Sequence, residues 1–397
     1  MAFVAAEPRV TDTLSSRIRT RMRALDDDGL LRTLRAPSGI DLSSNDYLGL
    51  ANHPHVKERM IEAVAREGAG STGSRLLRGN RDSFAAIERR FASFKGTERS
   101  LYFSSGYLAN LAVLTTFPEA GDVILSDEHN HASLIDGVRL SSARRKIFPH
   151  NDAASVRRAL DATSRAGQRF VVVESLFSMD GDEAPLEEYA ELCRASGAYL
   201  IVDEAHAVGV YGGKGSGLAE AHGIEKDVFL SVNTAGKALG VSGAFVAGPA
   251  WAIDYMIQRA RSFIFSTAPP PSIAAALDAS LDIVEREPQR RIAVLERARA
   301  LRLQLRTAGV PLPDGTSQIV PVLLGDNDRA VAVADALQAD GFDVRPIRPP
   351  TVPPGTARLR ISVNVNLTSE QMDRFVTALA AALAASGADP VGFAELV

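Results

Sequence analysis

Six short, dominantly apolar runs separated by stretches of helical spacing constrain this chain more than any other feature. They fall at residues 100–103, 122–125, 169–174, 199–202, 228–232 and 244–247. A sheet wetted on one face alternates polar with apolar side chains. The run Arg169-Phe170-Val171-Val172-Val173-Glu174 does not alternate, so both of its faces must be covered. Helical spacing intervenes at residues 107–117, 132–141 and 186–194. Strands alternating with helices specify an α/β fold, with a mostly parallel sheet between layers of helices.

The flanks read differently. Residues 13–35 have the spacing of a charged amphipathic helix, broken near Pro37-Ser38-Gly39, and residues 41–50 are extended. Helices at 54–66 and 82–94 flank a glycine-rich loop. After Pro269-Pro270-Pro271 the pattern predicts one long helix over 273–308. Strand 318–324, helix 329–339, strands 342–347 and 357–363 and helix 370–385 follow, a smaller α+β unit. The expected division is an N-terminal segment (1–45), a large domain (46–270) and a small C-terminal domain (271–397).

A net charge of −4 without a basic block disfavours nucleic acid or an anionic membrane as the main partner. No apolar run approaches the ~20 residues that span a bilayer. The single cysteine, Cys193, has no partner for an internal disulfide, which fits a reducing compartment. Met1-Ala2-Phe3-Val4-Ala5-Ala6-Glu7 lacks the basic and apolar regions of a secretory leader, so a cytoplasmic location is expected.

Two strand ends carry chemistry. Tyr199-Leu200-Ile201-Val202 runs into Asp203-Glu204-Ala205-His206, and Val228 to Val232 runs into Asn233-Thr234-Ala235-Gly236-Lys237. A lysine is normally a solvated surface charge. Lys237, however, follows a buried-strand pattern and has only small neighbours. Burial lowers a lysine pKa and frees the amine as nucleophile and base. An acid ending an apolar strand is costly to bury without a cationic partner, although capping a helix is the simpler use. Together Lys237 and Asp203 suggest a pyridoxal phosphate site: the amine attaches the cofactor as a Schiff base, and the carboxylate keeps its ring nitrogen protonated.

Other motifs add to this or fail. Ser104-Ser105-Gly106-Tyr107 is a small-residue turn opening a helix, suited to a phosphate but also common as a plain strand-to-helix turn. Asp127-Glu128-His129-Asn130-His131 lies at a strand's carboxyl end. It has no second His or Cys pair at zinc-like spacing, so no metal is expected there. His131 can instead lie against a planar cofactor, or simply cap its helix. Ser178, in Phe177-Ser178-Met179-Asp180-Gly181-Asp182, can donate to a cofactor oxygen. Gly68-Ala69-Gly70-Ser71-Thr72-Gly73 has dinucleotide-loop spacing but follows a helix, the wrong context. Ser231 and Ala238 break a P-loop pattern around Gly236-Lys237.

The runs Ser44-Asn45-Asp46-Tyr47-Leu48-Gly49, Ser105-Gly106-Tyr107, Asn130-His131-Ala132-Ser133-Leu134, Asp203-Glu204-Ala205-His206, residues 234–240 and residues 348–360 closely resemble the α-oxoamine synthases. These are fold type I pyridoxal phosphate enzymes, and the resemblance covers nearly the whole chain. It implies a large domain with a seven-stranded sheet, a smaller C-terminal α+β domain and a homodimer with a shared active site. By the same resemblance Lys237 carries the cofactor, Asp203 pairs with its ring nitrogen and His131 stacks on it. Ser178 and His206 lie by its phenolic oxygen, Gly106, Tyr107 and Thr234 help bind it, and Ser266 and Thr267 reach the phosphate of the partner subunit. Arg360 and Asn45 hold the amino-acid carboxylate, and Arg32 and Thr351 contact the acyl substrate. Within the family the chain is most similar to members that condense L-alanine with a pimeloyl thioester, carried by coenzyme A or a carrier protein, in biotin synthesis. Members using glycine or serine, and a non-catalytic relative of the same fold, are the alternatives.

Overall fold

In the computed structural model residues 10–164 and 166–387 are described; the reading of residues 1–7 as free of a leader falls outside them. Seven strands form the main sheet: β1 (Arg99–Phe103), β2 (Val123–Asp127), β3 (Arg144–Phe148), β4 (Arg169–Glu174), β5 (Tyr199–Asp203), β6 (Val228–Thr234) and β7 (Ala244–Gly248). Their spatial order is β1-β7-β6-β5-β4-β2-β3. The run from β6 to β3 is parallel, and β7 is antiparallel to both of its neighbours. Alternate side chains enter two separate cores. Val171 and Val173 pack on one face, Phe170 and Val172 on the other. Burying each such side chain contributes about 1.5–3 kcal/mol of transfer free energy.

Six of these strands match the apolar runs. The seventh, β3, does not, because it is an edge strand of sequence Arg-Arg-Lys-Ile-Phe in which only Phe148 is buried. Charge on an edge strand blocks pairing with further chains, and it also erases the apolar signature. The helix Ala153–Asp161 that follows it was likewise hidden, although Asp152 caps it through a bond from Ser155 N.

Two helix predictions need correction. The first helix spans Val10–Asp27 and stops eight residues short of the expected end (35 − 27 = 8). Three consecutive aspartates at 26–28 oppose the helix dipole there, and Gly29 turns away at φ +64°. The long helix over 273–308 is two helices, Ser272–Arg286 and Pro288–Thr307. Pro288 sits at the first turn of the second helix and holds Glu287 out of helical geometry.

The C-terminal part holds a three-stranded antiparallel sheet: β8 (Ile319–Gly325), β9 (Pro346–Ile347) and β10 (Ala357–Ser362), in the order β9-β10-β8. Helices Asn327–Ala339 and Ser369–Ala385 accompany it, the latter opened by a capping box between Thr368 and Gln371. The extended N-terminal segment is woven into this unit. Ile40 and Asp41 pair with Phe342 and Asp343, Ser362 N donates to Leu42 O at 2.8 Å, and Val365 N donates to Tyr47 O at 2.9 Å. Residues 45 and 47 are thereby carried to the end of β10. Among the described residues no helix is long and apolar enough to cross a membrane.

Candidate active site

The parallel strands end on one edge, where open α/β sheets bind ligands. Glu174 ends β4, Asp203 ends β5 and Thr234 ends β6, with Lys237 in the turn beyond. Lys237 Nζ lies 2.7 Å from His206 Nε2, and His206 Nδ1 lies 2.8 Å from the hydroxyl of Tyr47. That hydroxyl donates to Asn45 Oδ1 at 3.0 Å and accepts from Arg360 Nη2 at 3.1 Å. Tyr47 has one proton, and Asn45 takes it. With the Tyr47 proton on Asn45, the matching tautomer has His206 donating from Nδ1, which leaves Nε2 to accept from Lys237.

Asp203 is buried. Its Oδ2 accepts from Asn110 Nδ2 at 2.7 Å and its Oδ1 from the Ala205 amide at 2.9 Å. Asn110 also donates to Ser133 Oγ at 2.8 Å, which lies 2.7 Å from His131 Nδ1. His131 caps the helix Ala132–Leu140 and remains open to solvent on its outer side.

Burial sets the protonation states. It lowers Lys237 to about 8, against the pull of Asp203 and Glu174. It drives His206 well below its ordinary value, aided by the charges of Lys237 and Arg360, so this imidazole is neutral. Desolvation also lowers His131, more than Asp203 raises it. Glu174, beside Asp203 across the β4–β5 ladder, is raised by burial and then by the Asp203 charge. Its Oε1 makes no hydrogen bond. Raised to about 8, Glu174 keeps its proton at neutral pH.

The helix Gly106–Thr116 starts directly after β1. Ser105 accepts from Leu108 N at 3.2 Å, which leaves the Gly106 and Tyr107 amides without intrahelical partners. A Cβ on Gly106 would stand 2.4 Å from Thr234 Oγ1, so the amides and this hydroxyl share a space that only glycine leaves open. The Tyr107 side chain itself turns outward to Asp136. A depressed lysine, a buried carboxylate and an anion cradle fit the carbonyl, ring nitrogen and phosphate of pyridoxal phosphate.

The remaining predicted residues lie around this centre. Ser178 is buried, and its carbonyl accepts from Arg360 Nε. Arg32 donates to Pro349 O at 2.9 Å, on the turn that carries Thr351, whose amide bonds to Arg348 O at 3.1 Å. The hydrogen bonds of both residues run to that turn and not to the Lys237 cluster. Ser266 and Thr267 flank a narrow cleft with Ser104 and Arg75, and Thr267 pairs with Ser74.

Sequence reasoning gave no role to Tyr47, Asn110, Ser133 or Glu174. Asn110 had a signal, a lone amide between apolar neighbours of one helix. So did Glu174, which ends an apolar run just as Asp203 does. Tyr47 had none beyond its motif, because His206 and Arg360, which give it its place in the site, are distant in sequence.

The chain matches the aminotransferase class I and II family over residues 37–379. It is 45% identical over 381 residues to an 8-amino-7-oxononanoate synthase of Anaeromyxobacter dehalogenans, covering 92% of this chain and 95% of that one. The serine palmitoyltransferase of Sphingomonas wittichii superposes with a TM-score of 0.89 at 30% identity, over 96% of this chain and 99% of that one. An 8-amino-7-oxononanoate synthase from Francisella tularensis superposes with a TM-score of 0.75 at 29% identity, over 88% and 98%. The chain belongs to the class I and II aminotransferase family, in its α-oxoamine synthase branch.

Proposed function

We propose that this enzyme condenses L-alanine with a pimeloyl thioester, releasing carbon dioxide and the free thiol and forming 8-amino-7-oxononanoate. The observation that carries the reading is the chain of contacts Lys237–His206–Tyr47–Arg360, which sets an amine base and a carboxylate receptor on one neutral relay. Full-length relatives named for this activity support the choice of substrate. Serine palmitoyltransferases superpose better than the Francisella synthase at about the same identity, 30% against 29%, but relatives named for the synthase reach 45%, and side-chain identity decides which substrate a pocket takes.

Pyridoxal phosphate, when bound, supplies an electron sink for negative charge at the amino-acid Cα. The chain's own groups do the rest. The Lys237 amine attaches the cofactor and later takes the Cα proton on Nζ, and His206 Nε2 orients that amine. Asp203 holds the protonated ring nitrogen, and Asn110 keeps the carboxylate in place. His131 covers the ring. Ser178 and His206 stand by the phenolic oxygen. The Gly106 and Tyr107 amides and the Thr234 hydroxyl receive the phosphate, together with Ser266 and Thr267 of a second copy in a homodimer. Arg360 and Asn45 receive the substrate carboxylate, and Arg32 and Thr351 contact the acyl donor. A cytoplasmic location accords with this chemistry.

A thiol-release assay on the cofactor-loaded enzyme tests the reading. With pimeloyl-CoA, L-alanine should give a kcat/KM about 10- to 100-fold above glycine or L-serine. A preference for L-serine with a long-chain acyl-CoA would replace the assignment with that of the structural neighbours.

A further inference from the structure

The turn that carries Ser178 is gripped from two sides. Within it, Phe177 N donates to Asp182 O and Gly181 N to Phe177 O, both at 2.9 Å. From the small domain, Arg358 pairs with Asp180, Arg360 Nε donates to Ser178 O, and Ser317 Oγ donates to Gly181 O at 2.6 Å. From the large domain, with Asn151 beside it, the imidazole of His150 just beyond β3 bridges two carboxylates. Its Nδ1 lies 3.0 Å from Asp127 Oδ1 at the end of β2, and its Nε2 lies 2.8 Å from Asp182 Oδ2 on the turn.

Both acceptors are carboxylates, and an imidazole donates from both nitrogens only as a cation. The surroundings are built for that state. Asn151, in the left-handed region at φ +55°, donates its amide to Asp127 Oδ2 at 2.9 Å and its side chain to Asp182 Oδ2 at 2.7 Å. Glu128 accepts the His150 amide at 2.9 Å. The His129 ring stacks on His150 with centroids 4.2 Å apart, and Phe177 meets it edge-on at 4.4 Å. Asp180 lies 3.9 Å from His129 Nδ1 and is neutralised by Arg358. Burial by itself lowers His150; the bonds to Asp127 and Asp182 overcome it and push the imidazole up to about 10.

We propose that His150 is a positioning residue: clasped as a cation between Asp127 and Asp182, it fixes the turn at residues 177–182, and through the Ser178 carbonyl it aims the Arg360 guanidinium. Besides the Tyr47 hydroxyl and a long 3.5 Å approach to His206 Nδ1, both on Nη2, two bonds set that guanidinium's direction, namely Ser178 O on Nε and Ser362 Oγ on Nη1 at 2.7 Å. A shifted turn removes the first. The role rests on the reading of Arg360 as receptor of the amino-acid carboxylate.

The test uses the cofactor-loaded full chain. L-alanine binding is titrated by cofactor absorbance in wild type, His150→Gln, Arg360→Lys and the double variant. His150→Gln should raise the L-alanine Kd about tenfold and leave kcat within about threefold. In the Arg360→Lys background the same change should shift Kd less than about twofold, because the two residues act through one group. Additive effects, or a fall in kcat matching the rise in Kd, would overturn the role. A wild type that ignores L-alanine while binding another amino acid would overturn the functional reading and leave the cycle to be run on that substrate. Should His150→Gln fail to fold, Asp182→Asn and NMR titration of the His150 ring decide. The ring should remain protonated at pH 8 in wild type and lose its proton at lower pH in Asp182→Asn. Titration near 6.5 in both overturns the clasp.

Discussion

Lys237 Nζ and His206 Nε2 are 2.7 Å apart in a site where the imidazole is neutral and the lysine is depressed. A neutral Nε2 accepts one hydrogen bond from the amine and so fixes the direction of its lone pair without competing for charge. A cationic histidine there would face Lys237 and Arg360 with no counter-charge of its own. Burial therefore selects the neutral state, and Tyr47 selects the tautomer by receiving Nδ1–H.

The pH dependence of cofactor capture follows from that pair. The amine attacks only when unprotonated, and burial brings its pKa to about 8. Covalent capture of pyridoxal phosphate by the apoenzyme, quenched with borohydride and mapped to Lys237, should accelerate as pH rises through about 8 and level off above it. An ordinary exposed lysine would continue to accelerate past pH 10. A profile still climbing at pH 10 would remove burial as the source of the depressed value. His206→Ala should leave capture possible but lower kcat/KM by about 10- to 100-fold, since an unoriented base loses proton-transfer efficiency.

How much of this was legible depended on whether a residue's signal was local. Lys237 and Asp203 are read from strand ends because a parallel sheet places strand ends at the ligand edge, whereas Thr234 entered only through the family resemblance. The core strands were legible because burial on both faces leaves continuous apolar runs. Edge strand β3 was not, since solvent contact permits Arg144, Arg145 and Lys146. Tyr47 was quoted in a motif but given no role, because two of its three partners, His206 and Arg360, meet it only when the N-terminal segment threads along β10. The His150 clasp is similar: Asp127 ends β2 while Asp182 lies in the turn beyond β4, and nothing local marks them as neighbours.

Asn110 gives a stability prediction. Its amide nitrogen serves Asp203 and Ser133 at once, inside an otherwise apolar helix. Asn110→Ala leaves the buried Asp203 Oδ2 without its donor. The expected cost is about 1–3 kcal/mol in apoenzyme unfolding by urea, and cofactor affinity should fall because the carboxylate is no longer aimed. Asn110→Asp should be worse, since it sets a second carboxylate against Asp203. An Asn110→Ala apoenzyme as stable as wild type would show that Asp203 finds another donor.

Gly106 tests the anion cradle by volume alone. Its φ is not among the positive values, so alanine can adopt the backbone, and the objection to a side chain is purely one of space. The added Cβ would meet Thr234 Oγ1 at 2.4 Å and the Thr234 Cβ at 3.5 Å, both on a short β-branched side chain at the rigid end of β6. Such a side chain has few rotamers with which to yield. Gly106→Ala should therefore push Thr234 away from the helix start and weaken pyridoxal phosphate binding about 10- to 100-fold, read by titrating the apoenzyme, while far-ultraviolet circular dichroism stays unchanged. Pairing it with Thr234→Ala removes the clash and the hydroxyl together. That double variant should bind no more weakly than Thr234→Ala alone, because the clash is the whole effect of the first change. If Gly106→Ala alone binds pyridoxal phosphate with wild-type affinity, the helix start and Thr234 do not share the phosphate, and the cradle lies elsewhere along the strand ends.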